Sequence, residues 1–171
     1  SDVDSQTPEQ PEKEPKAKGG AMRHRVEVDQ SIKIEDKGTT TLAFANESAF
    51  AVQLSASVKL AGLQVLRDQA RRPDVAHRLL FAAALFLLLR NHLELIERVV
   101  IDVEYEGHEA EISSFLLRFI WREHPSFEPW RIEFGLVGKG SPAHRKAEAV
   151  RKGKDRHYRR ITEKELIQVL Q

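Results

Sequence analysis

The sequence predicts an α/β fold: a five-stranded mixed sheet, made of a three-strand antiparallel meander plus parallel strands, flanked by helices. Three observations lead there. Residues 25–54 hold three short strand-like segments with tight turns between them, which is the pattern of a meander. From residue 57 onward helical periodicity alternates with short apolar runs, the pattern of right-handed crossovers between parallel strands. One of those runs, residues 98–105, is rich in β-branched side chains and stops at Asp102 and Glu104, as a buried parallel strand does at its carboxyl end.

The elements follow in order. Residues 1–22 are rich in Pro, Glu, Lys and Gln with almost nothing apolar to bury, so a disordered tail is expected ahead of a single domain over 23–171. Residues 25–34 alternate apolar and polar as a half-buried strand does. Residues 35–38 turn the chain into a second strand over 39–45, and 46–48 turn it into a third over 50–54. A helix runs from Ser57 and stops before Pro73, because the residue preceding proline avoids helical geometry. Asp74 is the expected cap of a long buried helix reaching about Glu97. After the central strand, Gly107 breaks the chain, and Ile112, Phe115, Leu116, Phe119 and Ile120 form a helical face that ends near Pro125. Residues 131–137 read as the last strand and 143–152 as a helix behind Pro142. Thr162 and Glu165 have capping-box spacing for a final helix.

Bulk properties narrow the functions. The chain has 171 residues, 41% of them hydrophobic, enough for one domain with a core, and no cysteine, which excludes disulfides and thiolate metal sites. Cytoplasm is the expected compartment. The apolar run 79–89 is too short to span a bilayer, which needs about 20 residues, so no membrane partner is expected. The net charge is only +1, yet residues 139–160 hold nine Lys or Arg against Glu148 and Asp155. Lys139, Arg145, Lys146, Arg151, Lys152 and Lys154 are therefore candidates for contacting the phosphates of DNA or RNA; the alternative is a solvated charged face. Oligomeric state is not legible.

Several chemistries lack their signatures. His24, His77, His92, His108, His124 and His157 have no zinc-site spacing, Gly138-Lys-Gly140 falls short of a phosphate-binding loop, and no Gly-x-Ser-x-Gly elbow occurs. Asp102 and Glu104 share a parity and would face one side if the strand ran straight. Taken alone they read as a turn cap, Asp102, and a solvated acid, Glu104.

Element order and acid placement together resemble the ribonuclease H-like superfamily, which includes ribonucleases H, Holliday-junction resolvases, retroviral-type integrases and PIWI domains. Asp29-Gln-Ser31 is similar to the family's first-strand Asp-x-Ser, and Asp102-Val-Glu-Tyr105 to its fourth-strand Asp-x-x-Tyr. Glu104 stands where resolvases use a glutamate, and His144 where the helix after the fifth strand carries an acid or histidine. The glutamate that ribonuclease H carries on the helix before the fourth strand has no counterpart around residues 78–84, which are apolar after Arg78. The resemblance implies a nuclease with catalytic Asp29, Asp102, Glu104 and His144, the three acids holding Mg²⁺ or Mn²⁺. Paired ions about 3.5–4 Å apart would serve phosphodiester hydrolysis. The rival expectation is a non-catalytic member of the fold that binds nucleic acid or a protein.

Overall fold

The computed structural model describes residues 23–171; the expected tail lies outside the described residues. Strands β1 (His24–Ser31), β2 (Thr40–Ala45) and β3 (Ala49–Leu54) form the antiparallel meander. Helices α1 (Ala56–Asp68) and α2 (Pro73–Leu89) lead to β4 (Ile96–Asp102), which pairs parallel to β1. Helix α3 (Glu109–Glu123) and a short 3-10 turn at Pro129–Arg131 lead to β5 (Ile132–Gly135), parallel to β4. Helix α4 (Pro142–Arg151), β6 (Arg159–Arg160) and α5 (Glu163–Leu170) complete the chain, and the sheet order is β5-β4-β1-β2-β3-β6. This is an α/β fold with a mixed sheet in ribonuclease H-like order.

The two faces of the sheet are chemically unlike, and the difference sets where each helix lies. On one face Val26, Val28, Leu42, Phe44, Val52, Leu54, Val99 and Ile101 meet the apolar helix α2, with α1, α3 and α5 around it. On the other face β2 and β3 present Ala43 and Ala51, and α4 answers with Ala147 and Val150; Ala45, Val100, Val137 and Ala143 form a second small cluster there. Small side chains on both partners let α4 lie close over the centre of the sheet. Gly62 plays the same part on the first face, since a Cβ there would stand 2.8 Å from Leu166 and 3.0 Å from Leu80. The packed helices α1 and α5 need that space.

Several expectations are corrected. The sheet has a sixth strand, β6, two residues long and paired to β3. Strand β1 ends at Ser31, not residue 34, because Ile32 adopts φ 64° and turns the chain away. Helix α2 ends at Leu89, and residues 90–95 form turns that fold Leu93 into the core instead of extending the helix to residue 97. Asp74 is not the cap: Arg72 holds that position, Pro73 takes the first helical place where its missing N–H is not needed, and Asp74 pairs with Arg72 at 2.9 Å. The capping box at Thr162 and Glu165 forms in both directions. No helix of the described residues is long and apolar enough to cross a membrane.

Candidate metal centre

The site lies where β1 and β4 end side by side. Their parallel register pairs Val28 with Ile101, so the next residues, Asp29 and Asp102, are neighbours on the α4 face. Strand β4 stops at Asp102, and the chain bends so that Glu104 joins them. One carboxylate oxygen from each of Asp29, Asp102 and Glu104 lies within 4.8 Å of the other two. Oxygen ligands gathered at this spacing suit a hard divalent cation such as Mg²⁺ or Mn²⁺.

Each acid is held differently. Asp29 is buried at 6% exposure; its Oδ1 accepts the Gln30 N–H at 2.8 Å and its Oδ2 lies 2.9 Å from His144 Nδ1. Asp102 Oδ1 accepts the Val137 N–H at 2.9 Å, which ties the β4 end to the loop after β5. Glu104 has a loose ion pair, 3.7 Å from Lys33 Nζ. Burial pushes the Asp29 carboxyl up from its ordinary value, and the nearby Asp102 charge adds to this against the Gln30 and His144 hydrogen bonds. Burial also raises Glu104, again with Asp102 beside it and Lys33 opposing. Negative charge is thus packed more densely than the surrounding protein compensates.

His144 reaches Asp29 because α4 lies close. Ser141 caps α4 by accepting the His144 N–H at 3.1 Å, and the alanine contacts beneath bring the first turn down onto β1. In the neutral tautomer whose Nδ1–H donates to Asp29, Nε2 would be an acceptor. One turn further on, Glu148 accepts the Ser31 hydroxyl at 2.7 Å, so α4 is fastened to β1 at two points of the same face. Arg151 lies 2.7 Å from Glu148 and holds its carboxyl down at about 2, with the Ser31 bond assisting.

Gln30 was not singled out from the sequence. Its parity continues Val26 and Val28, so a polar side chain enters the α2 face, and that break in the alternation was the available signal. The side chain is buried and lines a small pocket with Asp29, Asp102, Glu104 and Phe81. It lies close enough to favour the charged form of Glu104, yet neither amide atom completes a hydrogen bond. Phe81 of α2 lines that pocket without offering an acid, and Glu104 joins the two aspartates from the segment after β4.

The basic segment is less available than its composition suggests. Lys146 is turned inward, donating to Asp155 Oδ2 at 2.6 Å and to the His157 carbonyl at 3.0 Å, so it clips the turn after α4. Arg151 and Lys152 share Glu148, at 2.7 and 3.9 Å. Lys139, Arg145 and Lys154 are exposed. The two interleaved acids, Glu148 and Asp155, thus take up three of the six candidate cations, and the His157 carbonyl adds a second partner for Lys146.

Comparison with known proteins gives no family: no protein-family model, curated protein or solved structure matches the chain.

Proposed function

We propose that the protein is a metal-dependent nuclease that hydrolyses phosphodiesters of DNA or RNA. The carrying observation is the meeting of Asp29, Asp102 and Glu104 within 4.8 Å at the carboxyl ends of two adjacent parallel strands. Those three residues would hold Mg²⁺ or Mn²⁺, which supplies an activated water and stabilises the leaving oxygen. Asp29, held at Oδ1 by the Gln30 N–H and at Oδ2 by His144, is fixed in one orientation, with the remaining lone pairs of its carboxylate left for an ion. The Val137 N–H performs the same service for Asp102 and keeps the β5–α4 loop beside it. His144, 2.9 Å from Asp29 at the edge of the cluster, would accept a proton at Nε2 in the neutral tautomer whose Nδ1–H donates to Asp29. Exposed Lys139, Arg145 and Lys154 would attract the strand and set its approach through phosphate contacts.

A second reading is supported by one observation. Helix α2 brings Phe81 and no acid to the pocket, so the cluster has three carboxylates, and a non-catalytic nucleic-acid binder would tolerate that. The two separate in a cleavage assay on labelled single- and double-stranded DNA, RNA and hybrid with Mg²⁺ or Mn²⁺. The nuclease reading expects ion-dependent products from the parent and none from Asp29→Asn. Binding without cleavage of any substrate supports the second reading, and equal cleavage by parent and variant rejects this site.

A further inference from the structure

We propose that Lys33 is the substrate-binding cation of the acidic centre, contacting the non-bridging oxygens of the phosphodiester. This rests on the nucleic-acid reading above and deepens it. Lys33 lies 3.7 Å from Glu104 of the cluster, and its side chain is 51% exposed. It is therefore at once beside the carboxylates and open to an incoming strand.

The position is built rather than incidental. The turn between β1 and β2 begins with Ile32 at φ 64°, a region that β-branched side chains rarely adopt, directly after β1 ends at Ser31 and three residues beyond Asp29. That reversal turns the chain back beside Glu104. The Lys33 carbonyl accepts the Asp36 N–H at 3.0 Å and the Thr40 hydroxyl at 3.2 Å. Beneath the turn, the buried Lys59 of α1 donates to the Asp36 carbonyl at 2.7 Å and to Thr40 Oγ1 at 3.1 Å. The Tyr105 hydroxyl donates to Glu35 at 2.6 Å, which fastens this turn to the loop carrying Glu104. The backbone of Lys33 is thus pinned from two sides, while its ammonium has only a loose partner.

Charge explains why such a lysine belongs here. Three carboxylates repel a phosphodiester, and a divalent cation offsets that only in part. An ammonium on the rim lessens the repulsion and supplies a point charge of the kind phosphates accept. It also competes with the metal for Glu104. The neighbouring Gln30 amide, buried and without a hydrogen-bond partner, is a second sign that this pocket is completed by something from outside.

The competing roles give opposite signs in one experiment. Equilibrium binding of the parent, Lys33→Met and Lys33→Arg is measured with fluorescein-labelled DNA, RNA and hybrid in Ca²⁺, which permits binding without requiring hydrolysis. Mn²⁺ affinity is measured alongside without nucleic acid. Lys33→Met is expected to bind the strand about 10-fold more weakly, Lys33→Arg close to the parent, and Lys33→Met to hold Mn²⁺ several-fold more tightly. Equal strand affinity for parent and Lys33→Met overturns the inference, as does a parent that binds no strand, or Mn²⁺ affinity that falls in Lys33→Met. A parent that cleaves nothing in Mg²⁺ or Mn²⁺ removes the nuclease reading only; the Ca²⁺ binding result still decides Lys33.

Discussion

Buried charge occurs at both ends of the central strands, and the two ends treat it in opposite ways. At the amino end of β4, Arg131 is 7% exposed, yet its guanidinium donates to the carbonyls of Glu97 and Leu93 at 2.9 Å, also reaches the Ile96 carbonyl, and stands 4.4 Å over the Phe127 ring. Every feature of that arrangement compensates the charge. At the carboxyl end, Asp29, Asp102 and Glu104 share one small space with a 3.7 Å lysine, a histidine and an unpartnered amide. Compensation is incomplete there, and a cation supplied from solution would finish it. A buried charge with all its partners is part of the scaffold; carboxylates gathered with fewer partners are a group that could hold a cation.

That contrast can be broken in four ways. The largest effect is expected from Asp102→Asn, which keeps an acceptor for the Val137 N–H but removes a charged ligand: ion-dependent cleavage should fall by about 10³-fold or more, measured as single-turnover rate. Next comes Arg131→Met, which strips three carbonyls of their donor; urea unfolding should show a loss of about 3 kcal/mol, with cleavage chemistry intact in the folded fraction. Equal destabilisation by Asp102→Asn would erase the distinction between the two ends. Charge reversal of the exposed Arg145 and Lys154 to Glu should weaken strand binding by about 10-fold and lower the salt slope by about 2, whereas Lys146→Met should alter stability rather than binding.

The smallest effect concerns pH and runs against the usual direction for a carboxylate. Asp29 and Glu104 are raised in the folded state by burial, so folding takes up protons at these groups and favours their neutral forms. Their contribution is fully present below the ordinary carboxylate range and is lost as pH rises through their elevated folded values. Without metal, Asp29→Asn should therefore be more stable than the parent at neutral pH, and the gain should vanish in acid. Saturating Mn²⁺ should reverse the order, because only the parent gains binding energy. Thermal melts across pH with and without Mn²⁺ check this.

Much of the fold was legible because periodicity changes sharply along the chain. The meander, the central strand, the helix behind Pro142 and the capping box at Thr162 all carry local signals, and the structure has them. What local pattern could not carry was decided by distant partners. Ile32 and Ile34 keep the strand alternation, but Lys59, 27 and 25 residues on, helps hold the turn that removes them from β1. Lys146 looks like its basic neighbours until Asp155 folds back on it. The acids that meet in the cluster, Asp29, Asp102 and Glu104, and the His144 that contacts Asp29 were legible as residue types; their neighbours Gln30 and Lys33 were not, because nearness to Glu104 is a spatial property that local pattern does not carry.

The central claim, that the undercompensated carboxylates form a cation site, is tested most directly by titrating the protein with Mn²⁺ and following free ion by electron paramagnetic resonance. The parent should bind at least one ion specifically, and Asp29→Asn with Asp102→Asn should lose that binding while remaining folded. Identical Mn²⁺ uptake by parent and double variant, or none by either, would contradict it.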